Sequence, residues 1–292
     1  KLVKELSFKI KYYYLMLFNQ LTIIIVTFKS EKKIHTCLDT IPPQVDVIIV
    51  ENSNDQKFKE KIEKGYTNVK CVLTGSNKGY ATANNIGLRQ VKTKFALVLN
   101  PDTKLKGDTI KNFFDCTKEI PDFWLIGPGN DQSKNILFDK NSNQEVQNLK
   151  GFAIFFNMEK FKEKFFDENF FLYFEEIDLC KSVKKQDGRI FLSKKIVINH
   201  DNASSVNKDK IFELEKNRNW HWMWSSFYFH KKHKGFIFAL LIIFPKLFSS
   251  VFKTIFYFFT FNKTKRDIYF CRLSGILNSI IGKKSWYRPK LD

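Results

Sequence analysis

The stretch "LTIIIVTF" at 21–28 is short, apolar and rich in β-branched residues, as expected of a strand buried on both faces. Three further strands are read in "VDVIIV" (45–50), "NVKCVL" (68–73) and "KFALVLN" (94–100). Helix-like stretches separate them at roughly 31–40, 55–64 and 80–91. Strands alternating with helices predict βαβ units and a mainly parallel sheet. Right-handed crossovers then gather the C-terminal ends of the strands on one edge, where open α/β sheets bind ligands.

Polar residues follow each of these strands: Thr27-Phe28-Lys29-Ser30, then Glu51-Asn52-Ser53-Asn54, then "TGSNKGYATANN", then Asn100-Pro101-Asp102-Thr103. Downstream, little can be assigned over 121–170 beyond a strand in "LKGFAIFFN" (149–157) and a polar loop over 129–148. "RIFLSK" and "KIVINH" read as two strands, the second ending at His200. No internal repeat is found.

Asp102 ends a buried strand and is held by Pro101, which suits a hard cation, although Asn-Pro-Asp is also a common turn signal. His200 would add an imidazole, a donor that suits Mn²⁺, if it meets Asp102 in space. "EEIDLCKSVKK" (175–185) reads as a short amphipathic helix with Glu175, Glu176 and Asp178 in its first turn. A helix N-terminus favours such charges. Carboxylates beside apolar "FFLYF" and beside each other also have raised pKa values, as a general base near neutral pH requires. In "SNKGYATANNIG" (76–87), Gly79 marks a turn, and the Asn84 and Asn85 amides are suited either to a ligand or to helix capping.

The chain has 292 residues and a formal charge of +19, with 17 Lys+Arg against 6 Asp+Glu after residue 200. Its six arginines are few for a base-reading nucleic-acid binder, so nucleic acid is not an expected partner. Five widely spaced cysteines with no CxxC pair argue against a disulfide framework. "KIKYYYLMLFNQ" (9–20) resembles a signal segment but lacks a small-residue cleavage site, and 1–20 is read as an N-terminal extension. From about 216 the chain turns aromatic and basic. "GFIFALLIIFPKLFSSVFKTIFYFFTF" (235–261) is apolar but interrupted by Pro245, Lys246 and Lys253. Helices lying in a membrane interface suit it best, with a span or a water-soluble helical subdomain as the other options. "HKKHK" (230–234) reads as a solvated basic face rather than a metal box.

Together the segments resemble family 2 glycosyltransferases, in particular the bacterial rhamnosyltransferase-like branch. The resemblance rests on "VTFKS", "VENSN", "NKGYATANNIG", Asn100-Pro101-Asp102 and "FDENFFLYFEEIDLC" (166–180), in that order, followed by His200. It runs from about 21 to 205. It implies a GT-A fold, placed over 21–215; the basic, aromatic and apolar composition makes 216–292 a membrane-associating helical region. The resemblance also implies metal-dependent, inverting transfer of a sugar from a nucleotide-diphosphate sugar to a lipid-linked or oligosaccharide acceptor. Carried over by residue, Thr27, Phe28, Glu51, Asn77, Gly79, Asn84 and Asn100 would bind the nucleotide-sugar. Asp102 and His200 would hold Mn²⁺ or Mg²⁺. Glu176 would be the base, supported by Glu175 and Asp178. Glu51 and Glu176 stand where the family has Asp, and Lys29 where it has Asn. The implied setting is the cytoplasmic face of the inner membrane, with a peripheral or monotopic attachment to anionic lipid.

Overall fold

The computed structural model describes residues 16–129, 142–162, 164–200 and 208–288. The chain forms two compact units, Lys1–Phe166 with Leu179–Asn202, and Asp167–Asp178 with Ala203–Asp292. The boundary expected at 215/216 lies inside a continuous helix, and the division falls instead at 202/203. Most of the segment expected as an N-terminal extension lies outside the described residues. Leu17, at its end, is buried in the core of the first unit, and Phe18 packs against that core.

The first unit opens with β1 (Leu21–Thr27), α1 (Glu31–Leu38), β2 (Asp46–Glu51), α2 (Gln56–Gly65), β3 (Val69–Leu73), α3 (Tyr80–Leu88) and β4 (Phe95–Leu99). It continues with β5 (Thr103–Leu105), α4 (Thr109–Glu119), β6 (Phe123–Pro128), β7 (Asn143–Glu145) and β8 (Ala153–Asn157). α5 (Glu175–Lys184), β9 (Arg189–Ser193) and β10 (Ile198–His200) follow, with the unit boundary inside α5, after Asp178.

Eight strands make one sheet in the order β3-β2-β1-β4-β8-β6-β9-β7. β3, β2, β1 and β4 are mutually parallel, as the alternation of strands and helices predicts. β8 then inserts antiparallel between β4 and β6. Register aligns the C-terminal strand ends: Thr27 lies opposite Glu51, and Glu51 opposite Leu73. β1 and β4 are buried almost throughout, which explains their unbroken apolar runs.

Two differences from the sequence-based expectation bear on the site. The segment expected as a loop over 129–148 contains, within its described part, the edge strand β7, whose polar residues pair antiparallel with β9. The strand expected over 195–200 is shorter and leaves the main sheet. β10 pairs antiparallel with β5 in a separate two-stranded ribbon, with His200 opposite Thr103.

The second unit holds the carboxylate-bearing segment and three helices, α6 (Lys208–Lys234), α7 (Phe236–Phe259) and α8 (Lys263–Ile280). Met223, Phe227, Ala239, Ile243 and Ile276 form one core cluster among them, and Trp220, Trp224 and Cys271 a second. α6 and α8 cross closely because Gly275 lies against the backbone of Trp220, with no room for a Cβ. α7 runs unbroken through Pro245 and is long and apolar enough to cross a membrane, although only 17% of its most apolar window is buried. Ile237, Leu241, Phe244, Phe248, Phe252 and Phe259 are all more than 60% exposed, at helical spacing.

Candidate active site

In the first unit the polar ends of the parallel strands knit into one network. Thr27 and Glu51 are buried, and the Thr27 hydroxyl donates to Glu51 Oε2 across β1 and β2. Ser53 Oγ donates to Glu51 Oε1 at 2.7 Å. Burial pushes the Glu51 pKa up, and these two hydroxyls pull it back only in part. A carboxylate has about four acceptor positions, so Glu51 keeps capacity for a ligand while its orientation is fixed. Phe28 follows on the same edge, half-buried.

Asn52, which the sequence did not single out, locks the next loop. Its Nδ2 donates to Asn77 Oδ1 at 3.0 Å and to the Gly79 carbonyl at 3.2 Å, and its Oδ1 accepts the Lys78 amide at 2.8 Å. Asn77 Oδ1 also accepts the Gly79 amide. The Asn77 carbonyl oxygen therefore holds the loop. Gly79 has φ +86, a conformation open to glycine at little cost, and begins α3. The two amides expected to bind a ligand or cap a helix divide. Asn85 bonds the backbone of Phe166 in both directions and is structural. Asn84 is 1% exposed, donates to the Tyr80 carbonyl, and has an Oδ1 with no hydrogen-bond partner among the described residues.

Asp102 and His200 meet. The β5–β10 ribbon brings Asp102 Oδ1 within 3.2 Å of His200 Nε2. The imidazole stacks on Phe152, with ring centroids 4.9 Å apart and planes at 9°, which fixes its direction. Lys33 Nζ lies 3.6 Å from Asp102 Oδ2, a cation the sequence offered no reason to select. Asn100 sits just before, its carbonyl accepting the Thr103 hydroxyl at 2.7 Å. Among the described residues no group of three or more His, Cys, Asp or Glu is arranged to hold a metal ion. One carboxylate oxygen and one imidazole nitrogen fit a divalent cation that takes its other ligands from substrate phosphates and water.

The second unit carries the other acidic cluster. Glu175 is 5% exposed, and its Oε2 has no hydrogen-bond partner among the described residues. Burial, and then the neighbouring Glu176, drive its pKa well above the ordinary carboxylate value. Burial also raises Glu176, which remains half-buried. The two residues before them, Tyr173 and Phe174, have φ +70 and +71. Bulky side chains avoid this region, at a cost of about 1–3 kcal/mol each. Such backbone persists only where packing enforces it. Tyr173 meets Trp222 edge-on at 5.2 Å, and Phe174 packs on Trp222 and Phe229.

Asp178 has different surroundings from its two neighbours. It is 2% exposed and accepts Lys232 Nζ at 2.8 Å and His233 Nε2 at 2.7 Å. The "HKKHK" segment is therefore not simply a solvated basic face: the His233 side chain is 1% exposed. Sequence spacing could not reveal this, because the partners lie on different helices.

The family model "Glycosyl transferase family 2" matches residues 22–179. "Low-salt glycan biosynthesis hexosyltransferase Agl10" of Haloferax volcanii is 22% identical over 199 residues, 59% of this chain and 64% of that protein. "Teichoic acid poly(glycerol phosphate) polymerase" of Staphylococcus epidermidis is 30% identical over 105 residues, 33% of this chain and 15% of that protein. The chain thus spans less than two thirds of either curated relative. Among solved structures, the mannosyltransferase PcManGT of Pyrobaculum calidifontis, with GDP-Man and Mn²⁺, has a TM-score of 0.55 at 13% identity, covering 91% of this chain and 88% of that one. S. aureus TarS 1-349 with UDP has a TM-score of 0.53 at 17% identity, covering 92% and 93%. At these identities the likeness shows the fold.

Proposed function

Because this chain belongs to glycosyl transferase family 2 and has its GT-A fold, we propose that it transfers a sugar from a nucleotide-diphosphate sugar to a saccharide hydroxyl, inverting the anomeric carbon. The observation that carries this reading is the Asp102–His200 pair, a carboxylate and an imidazole brought within 3.2 Å beside the ligand edge of the sheet. Thr27, Phe28, Glu51 and the Asn77–Gly79 loop would receive the nucleotide, Glu51 through the acceptor positions its two hydroxyl partners leave open. Asn84 would offer its unpartnered Oδ1, and Asn100 would line the same edge.

Asp102 and His200 would hold a divalent cation, Mn²⁺ or Mg²⁺, on the donor diphosphate. Such a cation supplies Lewis-acid stabilisation of the leaving phosphate charge. Glu176 would take the proton of the acceptor hydroxyl, which is a poor nucleophile until deprotonated. Its raised pKa suits that role, since a base tuned toward neutral pH accepts a proton more readily. Glu175, harder to ionise and beside it, keeps the pair from carrying two charges. Asp178 holds the helix start rather than touching substrate.

The relatives, a hexosyltransferase of low-salt glycan biosynthesis and a teichoic acid polymerase, support a role in glycan synthesis; the acceptor in this reading is a lipid-linked saccharide or oligosaccharide. The exposed apolar stripe of α7 supports attachment to a membrane; in this reading it is the cytoplasmic face, where a nucleotide-sugar donor would be met. Exposed Lys231 and Lys234 precede that helix, and exposed Lys263 and Lys265 follow it. Apolar burial plus cationic flanks is how interfacial helices bind anionic lipid. Replacing Phe248 and Phe252 by Ser in the full chain is expected to abolish co-sedimentation with phosphatidylglycerol vesicles; undiminished binding overturns the attachment.

A second reading is a nucleotide-sugar binder without transfer. It draws on Glu176, a methylene longer than the Asp that the resembled family carries at the base position. The deciding experiment is a donor screen with Mn²⁺ that measures nucleoside diphosphate release with and without lipid-linked acceptor. Acceptor-dependent release is expected. Thermal stabilisation by nucleotide with no release from any donor would establish the second reading.

A further inference from the structure

We propose that Lys232 is a positioning residue for the Glu175–Glu176 pair, one ammonium that fastens both ends of the segment carrying them. This rests on the assignment of Glu176 as the base. Lys232 Nζ donates to Asp167 Oδ2 at 2.7 Å and to Asp178 Oδ2 at 2.8 Å. The chain between those two aspartates could extend over about 35 Å, yet its ends close on a single nitrogen. Asp167 is held further by the Tyr228 hydroxyl at 3.0 Å and by the amide and side chain of Asn169. Asp178 is held further by His233.

Between the two ends, α6 supports the segment along its length. Phe170 meets Tyr228 edge-on at 4.9 Å, and Phe171 stacks on His221 at 4.5 Å. The Leu172 carbonyl accepts the Ser225 hydroxyl at 2.9 Å. Tyr228 and His233 hold one end each; among the described residues Lys232 is the side chain with hydrogen bonds to both aspartates. A loop with two consecutive bulky residues in the left-handed region relaxes when its ends are released. Relaxation at Phe174 moves the next two residues, Glu175 and Glu176.

Burial alone would lower the Lys232 pKa, but Asp167 and Asp178 hold it above its ordinary value, so the staple stays charged throughout the neutral range. Asp167 in turn is held below the ordinary carboxylate range: its burial acts the other way and is outweighed by Lys232 and Asn169. A lysine fits better than a neutral donor here, because one compact cation with three N–H groups can serve two carboxylates at once.

The test uses the full chain and the donor that wild type turns over. Lys232→Gln is expected to lower kcat by about 100-fold with donor KM unchanged, since displacement of a catalytic group by about 1 Å has that effect. Amides of 170–178 are expected to exchange with deuterium at least about tenfold faster. Lys232→Arg, which can still bridge two carboxylates, should recover most of kcat. Unchanged kcat with unchanged exchange in Lys232→Gln overturns the proposal, as does a loss that appears wholly in KM. Should Lys232→Gln fail to fold, Asp167→Asn releases one end only and must show the same kcat-selective loss at smaller size; a normal kcat there overturns it. The base assignment fails separately: Glu176→Gln with normal turnover removes it, while the exchange measurement still decides whether Lys232 closes the loop.

Discussion

Two glutamates of this chain are buried to nearly the same degree and differ in everything else. Glu51, on a sheet strand of the first unit, is 3% exposed and receives a hydroxyl on each oxygen. Glu175, at a helix start in the second unit, is 5% exposed, and its Oε2 receives nothing among the described residues. Burial is the main cause that raises both pKa values; next in size, the Thr27 and Ser53 hydroxyls pull Glu51 back, while the neighbouring Glu176 pushes Glu175 further up. The sheet edge places a carboxylate by register and satisfies it, as suits a group that must stay put and hold a ligand. The helix start leaves a carboxylate pair reluctant to ionise, as suits a group that exchanges a proton. Each variant below removes one side of that contrast.

The largest effect is expected at Glu176. Glu176→Gln keeps size and hydrogen-bonding capacity but cannot accept the acceptor's proton, so kcat for transfer should fall by about 10²–10⁴-fold. Nucleotide binding, followed by thermal shift, should survive. The same group sets a pH signature. Since burial raises Glu176, the acid limb of kcat should lie above the ordinary carboxylate value of about 4.3. A limb at or below that value would mean that another group titrates.

Next in size is Asp102→Asn, which removes one oxygen charge from the pair with His200 and brings it no nearer a cation. Transfer should fall by about 100-fold, and the concentration of Mn²⁺ needed for half-maximal rate should rise at least about tenfold. If rate and Mn²⁺ dependence are both unchanged, the pair is an internal hydrogen bond and nothing more.

These two clusters also differ in how far the sequence exposed them. The parallel strands were legible because each is a short apolar run set between helix-like stretches, with β1 and β4 buried almost throughout, and the edge that gathers their C-terminal ends followed from crossover handedness. The encounter of Asp102 with His200 was only conditional in the sequence. It depends on β5 and β10, whose "TKL" and "INH" are too short to show alternation. α4 left a signal that could have been used, since Ile110, Phe113 and Phe114 recur at helical spacing and are buried. The antiparallel insertion of β8 beside β4 was not accessible, because an apolar strand does not declare its neighbour's direction. Least legible of all was the staple. Lys232 and His233 lie more than 50 residues from Asp178, inside a segment whose composition describes any wet helix. Local pattern shows which residues can be buried; it does not pair charges across helices.

A smaller effect tests the satisfied side of the contrast. Thr27→Val preserves shape but removes the hydroxyl that donates to Glu51 Oε2. A buried acceptor then loses its partner, and the chain should lose about 1–3 kcal/mol of stability, read from denaturant midpoints at constant slope. Donor KM should rise with little change in kcat, because the role proposed for Glu51 is to orient a ligand, not to move a proton. A fall in kcat at constant KM would make the two glutamates alike.

The smallest expected effect concerns Glu175 and carries its sign with it. A carboxyl whose folded pKa is raised favours folding fully only below its unfolded value of about 4.3, and that contribution is lost as pH climbs through the folded value. Gln at this position is never asked to ionise. Glu175→Gln and wild type should therefore have similar stability near pH 4.5. By pH 8 the variant should be the more stable, by about 1 kcal/mol or more, and the gap should open steadily between the two. Melting temperatures of both proteins across that range decide the matter. Curves that stay parallel would mean that Glu175 ionises as easily folded as unfolded. Its unpartnered Oε2 would then need a counter-charge, and the contrast with Glu51 would lose its physical basis.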